Sequence, residues 1–518
     1  MMHRTVALSA LLLPLSIACA SGEREDSNFS ATAITTASSV ATSDAATDGS
    51  TDDSSATASG TDGSSAGSTD SESGEAETDT DDASTDTAVD TTDTEDPSET
   101  TDTTDTDTSE TTGVELDGVV FVHVGIGLDS NLGTATEPKR TIQAGIAAAA
   151  ELIDGVVHVA EGTYEVDYQN NKFVTLTDGV SIFGGYSADD WELRDPIAHP
   201  SVIVDKSASG GTDSEPNRAV DGGVGVGSDT VVDGFTIQGG TGSHAAAVVL
   251  LDSSPTLTNN RILGGAASGL RSYGVWCESS AATLMYNAIE AGDAAGLTGG
   301  YGVSAGVDCD AVLDGNFIYG GGGSSSTYGV WIGESAPRVY NNFVHSGEGM
   351  NSPIGVWVNQ ASPEVANNTI ICGKPGFGRG VYTSDTTAAT VENNIIVGFQ
   401  YCLYETDTFS EIVSVKNNDL YCDYVARTGW NGASHLELAP MEDSFNTGGA
   451  TAAGNVKVEP TFVEPNDHDY HLKGEAETLC DLSQGGLDLS DLYTLDVDAA
   501  ERSAPWSIGA HELDDACM

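Results

Sequence analysis

One asparagine recurs along the chain at intervals of 24 to 29 residues, and this repeat restricts the fold more than any other feature. Aligned on it, the chain reads AAVVLLDSSPTLTNNRI to Asn260, YGVWCESSAATLMYNAI to Asn287, YGVSAGVDCDAVLDGNFI to Asn316, YGVWIGESAPRVYNNFV to Asn342, IGVWVNQASPEVANNTI to Asn368 and RGVYTSDTTAATVENNII to Asn394, with a last copy at Asn418. Each copy holds three short β-type runs, for example GVWV, PEVAN and TIIC, separated by a turn, the Asn and a Gly-rich loop that absorbs length differences. Such a unit is one three-stranded coil of an all-β solenoid. The recurring Asn suits a corner that needs positive φ, and stacked copies can hydrogen-bond as a ladder. Gly234 in VVDGFTI takes the same place one coil earlier.

Upstream, HVAEGTY (158–164) and VTLTDGVSIFGGYSADDWELRDP (174–196) read as irregular strands of the same solenoid. TIQAGIAAAAEL (141–152) reads as a helix capping its N-terminal end, where a bare sheet edge needs cover. GLDSNLGTATEPKRTIQAGI, FGGYSADDWELRDP, and the pair NVKVEPTFVEPNDHDYHLKG and SIGAHEL resemble the opening, early coil and closing segment of pectin-lyase-like repeat proteins. The resemblance implies a right-handed three-sheet parallel β-helix over about 400 residues. As a guide to function it is weak, because one scaffold serves enzymes, adhesins and surface proteins alike.

The N-terminal part of the chain has a different composition. His3 and Arg4 precede the apolar run VALSALLLPLSIA, of secretory length and too short to span a bilayer. LSIAC resembles a lipobox, with Cys19 as the lipidated residue, although Ser16 stands where that motif usually has Leu and Ala18-Cys19-Ala20 also reads as an A-x-A cleavage site. Residues 20–115 are almost entirely Ser, Thr, Asp, Glu, Ala and Gly, a composition that cannot bury a core. The expected organisation is a signal peptide at 1–18, a disordered linker at 19–115, the β-helix at 116–425 and a C-terminal capping segment at 426–518. The expected location is outside the cytoplasm, at the outer membrane or cell surface through the lipid on Cys19, or secreted and soluble if cleavage wins. Eighteen Lys and Arg against 80 Asp and Glu leave a net charge of −62, which excludes nucleic acid as a natural partner.

Strand parity locates the candidate binding residues. In the GVW-type strands Val275, Val303, Val330, Val356 and Val381 align, as do Cys277, Ala305, Ile332, Val358 and Thr383, and these small or apolar columns point inward. The column between them points out and holds Trp276, Ser304, Trp331, Trp357, Tyr382 and, in a looser coil, Tyr404. Sugar rings present apolar faces that suit such side chains, so a polysaccharide or surface glycan is the expected partner of Trp276, Trp331, Trp357, Tyr382 and Tyr404. The alternative for the same column is a second small core beneath loops or the tail after Asn418, which would leave a structural envelope protein without a ligand.

Lyase or hydrolase activity is the other reading that the resemblance implies. Asp308 and Asp310 with Arg338 or Arg379 are the nearest set for proton abstraction beside calcium. No Gly-His-Gly motif is present, Asp189-Asp190 sits in what reads as a structural corner with Trp191, Arg194 and Asp195, and GGVGVGSD (222–229) misplaces the Asp of glycine-Asp calcium repeats. No catalytic residue is therefore assigned, and no cofactor is expected; calcium lacks a supporting pattern.

Without Cys19, seven cysteines remain, and no C-x-x-C spacing suggests zinc. Cys277 reads as a small core residue, Cys372 and Cys422 as two coils apart, and Cys480 with Cys517 as a disulfide stapling the C-terminal segment.

Overall fold

The computed structural model describes residues 118–292, 299–322, 326–385, 387–406, 410–473 and 479–513. The expected signal peptide, Cys19, the linker and Cys517 lie outside the described residues.

Among the described residues the chain winds into three sheets of 12, 11 and 10 strands, in a right-handed parallel β-helix. One coil shows the plan. Glu364–Ala366 lies in the twelve-stranded sheet, Thr369–Ile371 in the ten-stranded sheet and Phe377–Ser384 in the eleven-stranded sheet. Each strand pairs in parallel register with its counterparts one coil away, as Glu364 does with Arg338 and Thr390. Many strands of the first and third sheets are only three residues long, so one central side chain points inward from each. Leu257, Leu284, Leu313, Val339, Val365, Val391 and Val415 form one such column, and Ile262, Ile289, Ile318, Val344, Ile370, Ile396 and Leu420 another, all at 0 or 1% exposure. Spacing of about 4.8 Å between coils brings like side chains into contact, which packs the interior continuously.

Asn260, Asn287, Asn316, Asn342, Asn368, Asn394 and Asn418 line the corner between the twelve- and ten-stranded sheets, all buried. The Oδ1 of Asn394 accepts from the backbone N and the Nδ2 of Asn368, both at 3.0 Å. The Nδ2 of Asn368 also donates backward to the carbonyl of Val339 at 2.7 Å. One amide thereby ties three coils together, and the ladder runs on to Asn455. The corner differs from the expectation in one respect. Positive φ belongs to the residue before each ladder position, Asn259, Tyr286, Gly315, Asn341, Asn367, Asn393 and Asn417, while the ladder Asn keeps ordinary backbone. The preceding residue turns the chain, and the next can then aim its amide inward. Gly234 fills the turning position, and Phe235 stands where the ladder would place an Asn.

The helix Ile142–Ala149, shorter than the 141–152 expected, starts at Thr141, whose Oγ1 accepts from Ala144 N at 3.2 Å. It buries Ile142, Ile146 and Ala149 beside Val119–Val122, the outermost strand of the twelve-stranded sheet. A Cβ at Gly145 would stand 2.5 Å from the Val122 side chain, so only glycine permits this approach.

At the other end, the helix Leu438–Gly448 buries Met441 and Phe445, and Thr451–Ala453 adds the last strand to the twelve-stranded sheet. The chain then turns back along the solenoid instead of remaining at its end. The turning asparagines hold this strap. Asn341 accepts from Arg502, Asn367 donates to the carbonyls of Ser507 and Gly509, Asn393 to that of Leu487, and Asn417 to that of Gly485.

The cysteines correct the expectation for Cys277. It is bonded to Cys309 one coil on, and Cys402 is bonded to Cys422. Parity placed Cys277 inward correctly, but its partner comes from the following turn and not from a strand, which strand alignment does not reveal. Cys480 is disulfide-bonded. The thiol of Cys372 meets the carbonyls of Lys374 and Phe377.

Two stability predictions follow from these contacts. Asn368→Ala leaves the Val339 carbonyl and the amides of Asn342 without their partner, at about 1–3 kcal/mol for each buried group stranded; urea unfolding of the full chain measures the loss. Asp419 is fully buried with Oδ2 unbonded, and burial pushes its carboxyl up to about 8. A pKa raised in the folded state gives stability that is complete below the unfolded value near 3.9 and is lost as pH rises toward about 8. Unfolding at pH 5 and pH 9 should therefore show this loss in the wild type, and Asp419→Asn should flatten the profile.

Candidate functional site

The outer face of the eleven-stranded sheet carries two ring-rich columns, of which the sequence reading found one. The expected column runs in register through Trp276, Ser304, Trp331, Trp357, Tyr382, Tyr404 and Arg427. Three residues upstream a second runs through Tyr273, Tyr301, Tyr328, Ile354, Arg379, Tyr401 and Tyr424. Beside the second column stands Gly274, Gly302, Gly329, Gly355 or Gly380 in five successive coils and Cys402 in the next. A Cβ at Gly355 would stand 2.3 Å from Ile370 across the core and 2.7 Å from the carbonyl of Gly380, and Gly274, Gly302, Gly329 and Gly380 are as confined. The repeated YGV signalled this second column, since Tyr273, Tyr301 and Tyr328 head three consecutive copies.

Exposure divides the face. Trp276 is only 5% exposed and packs with Ala246, Val249, Tyr273 and Tyr301, which overturns the expectation that it is open to ligand. Its neighbours explain this. Tyr273 and Tyr301 stack at 5.1 Å, and Arg271 lies over Tyr301 while pairing with Asp213 at 2.9 Å, so an upstream segment reaches across this end. From Trp331 onward the rings are half-buried: Trp331, Trp357, Tyr382 and Tyr404 succeed one another at centroid distances of 6.5, 5.5 and 5.7 Å. They are held in place, Trp357 by its Nε1 donating to Ser384 Oγ at 2.9 Å, and Tyr404 by Tyr401 beside it.

Two guanidinium groups complete this half of the face. Arg379 lies 4.7 Å from the ring of Tyr382 and 4.4 Å from that of Tyr404, and Arg427 lies 5.0 Å from Tyr404 on its other side. Among the described residues neither forms an ion pair: Arg379 donates to Ser352 Oγ, and Arg427 to the carbonyls of Glu405 and Thr406. Burial raises the phenol pKa of Tyr382, with Arg379 pulling partly the other way, so the hydroxyl stays a neutral donor.

The lyase-type set is not brought together. Asp308 lies at a turn with φ of 54°, Asp310 accepts from Ala336 N, and Arg338 belongs to the twelve-stranded sheet, 3.7 Å from Glu364. Arg379 stands three coils from Asp308, roughly 14 Å along the axis. The Asp189-Asp190 segment is a packed corner: Arg194 donates to the Gly184 carbonyl and pairs with Asp233, and Asp195 accepts from Ile197 N and Ala198 N.

Residues 273–438 match a family model described as a right-handed β-helix region, which spans most of this face. The fold is a right-handed parallel β-helix. Residues 125–343 match a model described as a protein of unknown function, DUF1565. No curated protein matches the chain. Among solved structures, a complex of XylC with xylose is similar at 11% identity and a TM-score of 0.41, covering 76% of this chain and 98% of that one. A rhamnogalacturonan lyase is similar at 12% identity and a TM-score of 0.36, covering 70% and 97%. The A-module of the Azotobacter vinelandii mannuronan C-5 epimerase AlgE6 is similar at 17% identity and a TM-score of 0.32, covering 62% and 95%. At such distances the activities of those proteins remain their own.

Proposed function

We propose that this chain is an exported, membrane-tethered β-helix that binds glycan on the C-terminal half of its eleven-stranded face. The observation that carries the reading is the run of half-exposed rings, Trp331, Trp357, Tyr382 and Tyr404, with Arg379 lodged between the last two. Indole and phenol faces stack on the apolar faces of sugar rings, and held side chains lose little entropy on binding. The register of the coils sets them in a line roughly 14 Å long, a shape that suits a linear chain.

Local charge decides which glycan. The net charge of −62 argues against an acidic polymer, but Arg379 and Arg427 stand on the face itself and form no ion pair among the described residues. Short-range pairing with a sugar carboxylate outweighs distant repulsion that is screened beyond about 8–10 Å. Acidic glycans therefore fit this half of the face better than neutral ones.

The remainder of the reading is supported by sequence, with the helix Ile142–Ala149 as an N-terminal cap, Cys19 as the lipidated residue and 20–115 as a spacer. The bonds Cys277–Cys309 and Cys402–Cys422 fit an oxidising compartment.

Two experiments test the reading. With the full chain and a panel of acidic and neutral polysaccharides, Trp357→Ala should weaken binding about tenfold for every glycan bound, whereas Arg379→Ala should weaken acidic ones alone. A folded wild type that binds nothing removes the proposal and favours a purely structural envelope protein; shortened or unsaturated products would move the assignment to a lyase or hydrolase. Separately, the wild type should fractionate with membranes and Cys19→Ser should release it, while a wild type already soluble refutes the tether.

A further inference from the structure

Two segments of the C-terminal strap meet over the ten-stranded sheet, and their junction gathers groups that the glycan-binding reading does not use. Asp496, Asp498 and His511 each place a potential ligand atom within 4.8 Å of the others. His471, on the strand Asp469–Leu472, brings its Nε2 to 3.0 Å from Asp498 and stands with its ring 5.0 Å from that of His511, nearly perpendicular. Asp469 holds the opposite nitrogen of His471, Nδ1, at 2.5 Å.

An ordinary ion pair explains part of this arrangement. A protonated His471 between Asp469 and Asp498 satisfies all three side chains. It leaves His511 unexplained, because the Nδ1 of His511 is buried and has no hydrogen-bond partner among the described residues, although carboxylates lie within reach. Neither does it explain why Asp496, 1% exposed, is fixed so firmly: one oxygen accepts from Asp498 N and Ala500 N and the other from Glu512 N, all at 2.9 Å. Those bonds use backbone donors on the loop and leave the carboxylate as a fixed negative point beside His511.

We propose that His471, His511, Asp496 and Asp498 bind a divalent transition-metal ion of the zinc class. Two imidazoles with two carboxylates form a nitrogen and oxygen donor set that suits zinc. Asp469 at Nδ1 of His471 supplies the carboxylate partner that orients a ligating imidazole. Ligands at about 2.0–2.1 Å around a tetrahedral ion stand roughly 3.4 Å apart, so the donors of Asp496, Asp498 and His511, within 4.8 Å of one another, need to close by little over 1 Å, and His471 Nε2 stands 3.0 Å from Asp498. The ion inserts between His471 and Asp498, displacing their direct contact. Its role is structural, since His471 packs on Phe343 of the ten-stranded sheet while Asp496 and His511 belong to the returning strap. One ion thereby fastens the strap to the coils beneath it.

The test uses the full chain, stripped with a chelator and titrated with Zn²⁺ by calorimetry and with Co²⁺ by visible absorption. The acidic linker binds cations weakly in every variant, so the difference between proteins is what is read. The expected result is one tight equivalent with the d–d spectrum of an imidazole-bearing Co²⁺ site, absent in His511→Gln and weakened tenfold to a hundredfold in Asp469→Asn. Zn²⁺ should also slow proteolysis of the strap in the wild type and not in Asp498→Asn. Titrations of the wild type and a folded His511→Gln that coincide, or a Co²⁺ spectrum showing only oxygen ligands, would overturn the proposal. None of these outcomes depends on whether the aromatic face binds glycan.

Discussion

Stacking at one fixed coil-to-coil distance is the constraint from which the rest of the structure follows. The buried asparagine ladder enforces it, because each amide accepts from one neighbouring coil and donates to the coils on either side. A coil longer or shorter at this corner would break two ladder bonds and strand buried polar groups, which is costlier than any gain from a better loop. Length variation is therefore pushed to the Gly-rich connections. With the corner fixed, every side chain falls into a column, and each column has one environment along its length.

That logic made much of the fold legible. The two inward columns of the GVW-type strands, the register of those strands and the ladder positions all appear in the sequence as period, because contacts between neighbouring coils repeat the same residue types. The errors arose where contacts cross columns. In NN pairs such as Asn367-Asn368, period alone does not tell which residue turns and which points inward, and the structure gives positive φ to the first. Cys277 and Cys309 join a strand to a turn, so no shared register announces their bond. Trp276 occupies the same column as Trp357 but lies beneath a cover whose anchor, Asp213, comes from an upstream segment outside the repeat.

The aperiodic tail was the least legible part. Its strap contacts use the side chains of the turning asparagines, which looked like conformational necessities and also serve as a row of hydrogen-bonding posts. The histidine and aspartate cluster draws its members from His471, Asp496, Asp498 and His511, of which only the two aspartates are close in sequence, so no metal motif is marked. Only the fold of the strap brings them together.

Large outward side chains meet opposite fates on the two faces of this solenoid. On the ten-stranded sheet Phe343 and Ile371, in neighbouring columns, are buried with Tyr470, Val497 and Ala510 of the strap, and Thr369 and His345, next to them in those columns, are buried too. On the eleven-stranded sheet Trp331, Trp357, Tyr382 and Tyr404 each carry a donor at the rim, and arginines interleave with them. A surface that alternates between water and ligand needs side chains tolerable in both. Composition alone does not separate the two ends of this face, because Trp276, Tyr273 and Tyr301 beside Arg271 are buried with the same chemistry; what separates them is packing against other segments, which Trp331, Trp357, Tyr382 and Tyr404 have only in part.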